Sequence, residues 1–139
     1  MMPRDRPSAS PPSMPVCLAM LLLADVALHA GGLLRAVRLA RRMAGPAADR
    51  ITPVSAELIR TTTHRLATAA SLYPRRALCL EQSLSLHVLL GRRGIPTELK
   101  IGVRQLPFYA HAWVEHQGRP INEREEFVRT LAPFPSVEG

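Results

Sequence analysis

Three side chains in the C-terminal half are of the types needed for covalent catalysis: the thiol of Cys79, the imidazole of His111 and the carboxylate of Glu123. A thiolate attacks a carbonyl, an imidazole takes and returns the proton, and an acid orients the ring. Cys79 stands where a helical pattern begins, in "CLEQSLSLHVLLGRRG". The unpaired N–H groups and positive partial charge of a helix start favour a thiolate there. The same N–H groups suit an oxyanion on a substrate carbonyl. Each residue also has an ordinary reading. A cysteine among leucines is commonly a buried core residue, and a histidine in an apolar strand commonly makes a structural hydrogen bond.

The surroundings of His111 raise the catalytic reading. The segment 107–123, "PFYAHAWVEHQGRPINE", has the alternation of a hairpin, and Gly118 supplies the left-handed residue of its turn. A three-residue loop, His116-Gln117-Gly118, pairs Glu115 with Arg119 and, counting back, His111 with Glu123. Directly opposed residues share a face, so Glu123 would bond one ring nitrogen and leave the other to face a thiol. A two-residue loop, Gln117-Gly118, instead brings Asn122 onto that face, diagonal to His111 and opposite Trp113. A one-residue slip exchanges the faces, and the sequence leaves the register open. An amide also orients an imidazole, so either register keeps a three-residue arrangement. Trp113 and Asn122, beside the pair, are the candidate substrate-binding residues.

Positioning these side chains requires a helix followed by a sheet, and the chain has that order. Residues 1–15, rich in Pro, Ser and Arg, read as a disordered tail. Residues 16–44 open like a signal peptide, but the helical pattern continues past Asp25. Asp25 and His29 also interrupt the roughly 20 apolar residues that a membrane span needs. Gly31-Gly32 is a weak point, and Arg35, Arg38 and Arg42 recur on one solvated stripe. The reading is a soluble amphipathic helix with no stable membrane insertion. A linker (44–50) follows. Thr52 then caps a helix with Pro53 at its first position, carrying Leu58, Ile59, Leu66 and Ala69 to about Leu72, before Pro74. The Cys79 helix starts near Leu78, puts Leu80, Leu84 and Val88 on an apolar face, and ends at Gly94 with Pro96 beyond. The period then becomes two: "TELKIGVR", "YAHAWVE" and "RPIN" read as three strands. Residues 124–139 read as a charged, then Pro-rich tail. Helices before an antiparallel sheet make the class α+β.

Composition narrows the function. The 139 residues fit one domain, carry a net charge of +7, and include a single Lys, Lys100, among 18 basic residues. Aromatics are only 4%, too few to interleave with basic residues as nucleic-acid binding requires. The charge favours an acidic peptide or protein partner. Cys17 and Cys79 lack metal-like neighbours at short spacing, and two cysteines in a chain of this size suit a reducing compartment.

The stretch "CLEQSLSLHVLLGRRGIPTELKIGVRQLPFYAHAWVE", followed by "GRPINE", resembles the transglutaminase-like leader peptidases of lasso-peptide biosynthesis, the stand-alone B2 proteins. The likeness is close over about 75–127 and looser back to about residue 16. It implies a papain-like outline, with N-terminal helices and a nucleophile helix packed on a small antiparallel sheet. The implied organisation is one domain over 16–139, with a helical lead-in at 16–73 and a catalytic core at 74–127. The family's cysteine falls on Cys79, its histidine on His111 and its acid, usually Asp, on Glu123. That side chain is one carbon longer, and Asn122 is the alternative third member. The implied activity is hydrolysis of one peptide bond in a ribosomally made precursor, in the cytoplasm. A separate leader-recognition protein of the B1 type presents the leader, and an ATP-dependent lasso cyclase closes the ring. No metal or organic cofactor is called for. Two alternatives use the same cleft: a non-catalytic peptide-binding module, and acyl transfer to an amine.

Overall fold

A computed structural model describes residues 10–45, 53–74, 79–105 and 108–133. Three long helices precede the sheet: α1 (Met14–Ala44), α2 (Pro53–Leu72) and α3 (Cys79–Gly91). Then come β1 (Glu98–Gln105), β2 (Phe108–His116), β3 (Arg119–Pro120), a one-turn helix α4 (Glu125–Val128) and β4 (Ala132–Pro133). The sheet order is β3-β2-β1-β4, and the pairings are antiparallel. The class is α+β, with α3 packed on the small sheet and α1 and α2 packed on α3.

The local signals act as expected in the helices. Pro53 opens α2, whose Leu58, Leu66 and Ala69 are buried; Thr52, its expected cap, lies outside the described residues. α1 is kinked where Gly31-Gly32 is weak: Gly32 sits at φ 79°, a left-handed angle inside the helix. The kink folds the two halves together, so that Ala24 and Ala36 line one small cavity with Leu84 and Val88 of α3. α3 is the central element. Every residue from Ser83 to Leu90 is buried, which fits a helix apolar on nearly all sides. Gly94, at φ 79°, ends it: Ile95 N–H donates to the Leu90 carbonyl and Gly94 N–H to that of Gly91, both at 3.0 Å. Those two bonds are the Schellman pattern, which satisfies the last carbonyls.

β1 and β2 pair along their whole length, from Glu98↔Glu115 to Gln105↔Phe108. Their alternation puts Leu99, Ile101, Ala112 and Val114 in the core with the helices. Gly102, His111 and Trp113 therefore share the other face. Trp113 lies over Gly102, where an added Cβ would come within 2.8 Å of the indole and 2.7 Å of the Leu131 Cβ.

Two expectations change, and an open alternative is resolved. The tail read as disordered over 1–15 joins the fold at Ser10. Arg93 donates to the Ser10 carbonyl (2.9 Å), Arg65 to that of Pro12 (3.0 Å), and Pro12 is fully buried. The third strand is Arg119–Pro120, shorter than "RPIN", and the charged tail supplies α4 and β4. The register that the sequence left open is the two-residue one, because His116 pairs with Arg119 and Glu115 with Pro120. Gln117 (φ 56°) joins Gly118 (φ 77°) in the left-handed region. Two consecutive positive φ values mark the type I′ turn, whose twist matches that of the flanking strands.

α1 is long and apolar enough to cross a membrane on length and composition alone. Yet Asp25, inside its apolar run, is buried and held within the fold. Tyr73 Oη donates to its Oδ2 at 3.0 Å, and His29 Nδ1 lies 2.9 Å from its Oδ1.

Candidate functional site

Cys79 is the first residue of α3 and is half-buried. His111 lies in the middle of β2 with its side chain 11% exposed, and its Nε2 is 2.6 Å from Glu123 Oε2. Two aromatic rings frame the imidazole. Phe127 meets it edge-on at 5.3 Å, and Trp113 is nearly parallel at 6.4 Å. The indole N–H of Trp113 donates to Glu115 Oε2 at 2.7 Å, which fixes the ring. The Glu123 carboxylate also accepts the Arg124 N–H at 2.9 Å.

In the two-residue register a straight strand would set Glu123 opposite Ala112, on the wrong face. The chain avoids this by leaving the ladder. Ile121 N–H still bonds the Val114 carbonyl at 2.9 Å. The return bond comes from a side chain instead, with Val114 N–H donating to Asn122 Oδ1 at 2.8 Å. Asn122 thus replaces a backbone carbonyl, the strand ends, and the next residue turns back to His111.

The same strand ending admits α3. Val114 uses its backbone groups toward β3, so by the period of two the Ala112 carbonyl points the same way. No β3 residue reaches it. The Ser83 hydroxyl donates to it at 3.1 Å, and Asn122 Nδ2 donates to Ser83 Oγ at 3.1 Å. Further along the helix, His87 Nδ1 meets Thr97 Oγ1 at 2.6 Å, just before β1 begins opposite Glu115. α3 therefore lies across β2, from Ser83 at the vacated edge to His87 beside the start of β1, and runs in the same general direction as the strand. Cys79 is one turn before Ser83, about 6 Å nearer the start of α3 along the helix axis.

Two further titratable groups, Cys17 and His87, lie in the core. Burial pushes the Cys17 thiol up, against the pull of Arg93 and Arg65, and the residue has no exposed surface. It is kept as a thiol in the helical core. His87 is pushed down to about 4 by burial and by the charge of Arg41, and stays neutral. Among the described residues no group of three His, Cys, Asp or Glu side chains is set to hold a metal ion.

Of the expected site residues, the structure joins His111, Glu123 and Trp113 in one cluster, while Cys79 opens the helix whose Ser83, one turn on, bonds the carbonyl of Ala112, next to His111 in β2. Asn122 contacts β2 and Ser83. Sequence reasoning missed Ser83 and Phe127. Ser83 carries a signal, because a polar residue in a buried stretch of leucines demands a partner. Phe127 carries none, since nothing in its charged neighbourhood marks a helix turn.

A family model described as the transglutaminase-like superfamily matches residues 20–136. The Microcin J25-processing protein McjB of Escherichia coli is 49% identical over 45 residues, 32% of this chain and 22% of McjB. The aligned stretch thus spans less than a quarter of that relative. No solved structure matches the chain.

Proposed function

Since the chain belongs to the transglutaminase-like superfamily, we propose that it is a cysteine peptidase of the stand-alone B2 type. It cuts one peptide bond in a ribosomally made lasso-peptide precursor and frees the core peptide from its leader. McjB, by its name, processes microcin J25, and the partial identity supports a related task here. The single observation that carries the reading is the His111–Glu123 contact at 2.6 Å, on the strand to which Ser83 of the Cys79 helix is bonded.

In this reading His111 takes the Cys79 proton, and the thiolate adds to the carbonyl at the leader–core junction. Nε2 is committed to Glu123, so the proton passes through Nδ1. The N–H groups of the first turn of α3 face the developing oxyanion. Collapse of the adduct breaks the C–N bond, and His111 protonates the departing core amine. The leader remains as a thioester on Cys79. Water then gives a proton to His111, its oxygen adds to the thioester, and the thiolate leaves. Glu123 holds the imidazole in one orientation and stabilises its charged form. Trp113 and Asn122 border the substrate. The leader is presented by a separate B1-type protein, the core passes on to an ATP-dependent lasso cyclase, and the reaction takes place in the cytoplasm.

The test is mass spectrometry of a synthetic precursor incubated with the chain and a leader-binding partner in H2 18O. Hydrolysis places one 18O in the new leader carboxylate. A leader joined to an added amine, without label, makes the protein a transferase. An uncut precursor that remains bound makes it a binding module.

A further inference from the structure

The proposed nucleophile and base stand on separate elements, α3 and β2, so something must hold the two in register. One hydrogen-bonded bridge connects both. Asn122 accepts from Val114 N–H through Oδ1 (2.8 Å) and donates through Nδ2 to Ser83 Oγ (3.1 Å). Ser83 in turn donates to the Ala112 carbonyl (3.1 Å). Ser83 has no exposed surface, and it uses its hydroxyl both as acceptor and as donor. The bridge starts and ends on β2, two residues apart, and passes through α3 and the segment after β3.

We infer that Ser83 and Asn122 are positioning residues that set the Cys79 helix against His111 and its carboxylate. The inference rests on the peptidase reading above. Ser83 lies one helical turn after Cys79, so fixing its hydroxyl fixes the height and rotation of the helix start. Asn122 immediately precedes Glu123, so fixing its amide aims the carboxylate that holds His111 at 2.6 Å. Asparagine is chemically specific here. An aspartate would still accept from Val114 but has no donor for Ser83. Removing the serine hydroxyl would take the partner from a buried carbonyl and from a part-buried amide N–H. Both ends of the constellation depend on the same three bonds, so the two residues act as one unit.

The experiment measures alkylation of the native full chain by iodoacetamide from pH 5 to pH 8, with the adduct counted on the Cys79 peptide. It uses no substrate and no partner. Wild-type protein shows an alkylation rate at the acid end of the profile that His111→Ala loses. Asn122→Asp, which keeps side-chain size, and Ser83→Ala each lower that His111-dependent rate by about tenfold or more. The double variant loses no more than the worse single one. In the His111→Ala background neither change has a further effect. Wild-type profiles in both single variants, or equal losses with and without His111, overturn the inference while leaving the peptidase reading intact. A profile indifferent to His111→Ala overturns both.

Discussion

Glu123 reaches His111 because Asn122 ends the strand early, so the carboxylate meets the ring from a turn and not from the opposite strand. This gives the residues distinct expected costs. Cys79→Ala abolishes cleavage and leaves precursor binding intact, whereas Cys17→Ala, in the helical core, preserves activity. Loss of activity in the Cys17 variant with retention in the Cys79 variant contradicts the assignment. His111→Ala lowers kcat/KM by about 10³-fold, within the range for a lost general base. Glu123→Ala costs less than His111→Ala, since water or a neighbour partly replaces an orienting group. Steady-state rates on a synthetic precursor check the order; Glu123→Ala as damaging as His111→Ala would make the acid more than an orienter. The residue types and chain order of this set were readable in the sequence. The turn geometry was not, because Gln117 does not announce a left-handed φ as a glycine does.

At the scale of elements, α3 sets the tolerances. It meets α1 so closely that a Cβ on Gly91 would lie 2.5 Å from the Ala44 Cβ and 2.7 Å from the Ala44 carbonyl oxygen. Gly91→Ala must push the helices apart, at a cost of about 1–3 kcal/mol, seen as a lower urea midpoint at unchanged slope. His87, on the same helix, makes stability depend on pH. Its pKa falls from 6.5 to about 4 on folding, so the unfolded chain binds the extra proton between those values. Stability is complete above pH 6.5 and declines as pH falls toward 4, by up to about 3 kcal/mol from this group. His87→Asn, which does not titrate, should show a smaller decline in urea midpoint from pH 7 to 4.5; an identical decline contradicts the assignment. The long elements were legible because Pro53, Gly94 and the change of period mark them locally. α4 and β4, of four and two residues, are not marked in this way and depend on tertiary contacts. Pro12 is likewise held by Arg65, 53 residues away, a distance that no local pattern records.

At the scale of the whole molecule, two features stand out, the apolar α1 and the net charge of +7. Leu22 and Val26 are 53% and 54% exposed on α1, while Asp25 between them is buried and bonded to Tyr73. A helix whose acid is used inside the fold is expected to stay with that fold. Fractionation of the host should place the full-length chain in the cytoplasm, and recovery in a salt-washed membrane pellet would contradict this. A partner that already holds the leader raises its effective concentration at Cys79, so cleavage should accelerate with added leader-binding protein. The acceleration should weaken as salt rises if the basic surface contributes to assembly. The most direct test of the central claim is the intact mass of the protein, quenched in acid during turnover of the precursor. The account predicts an adduct equal to the leader less one water, located on the Cys79 peptide and absent from Cys79→Ala. A cut precursor with no adduct, or cleavage that survives in Cys79→Ala, would contradict it.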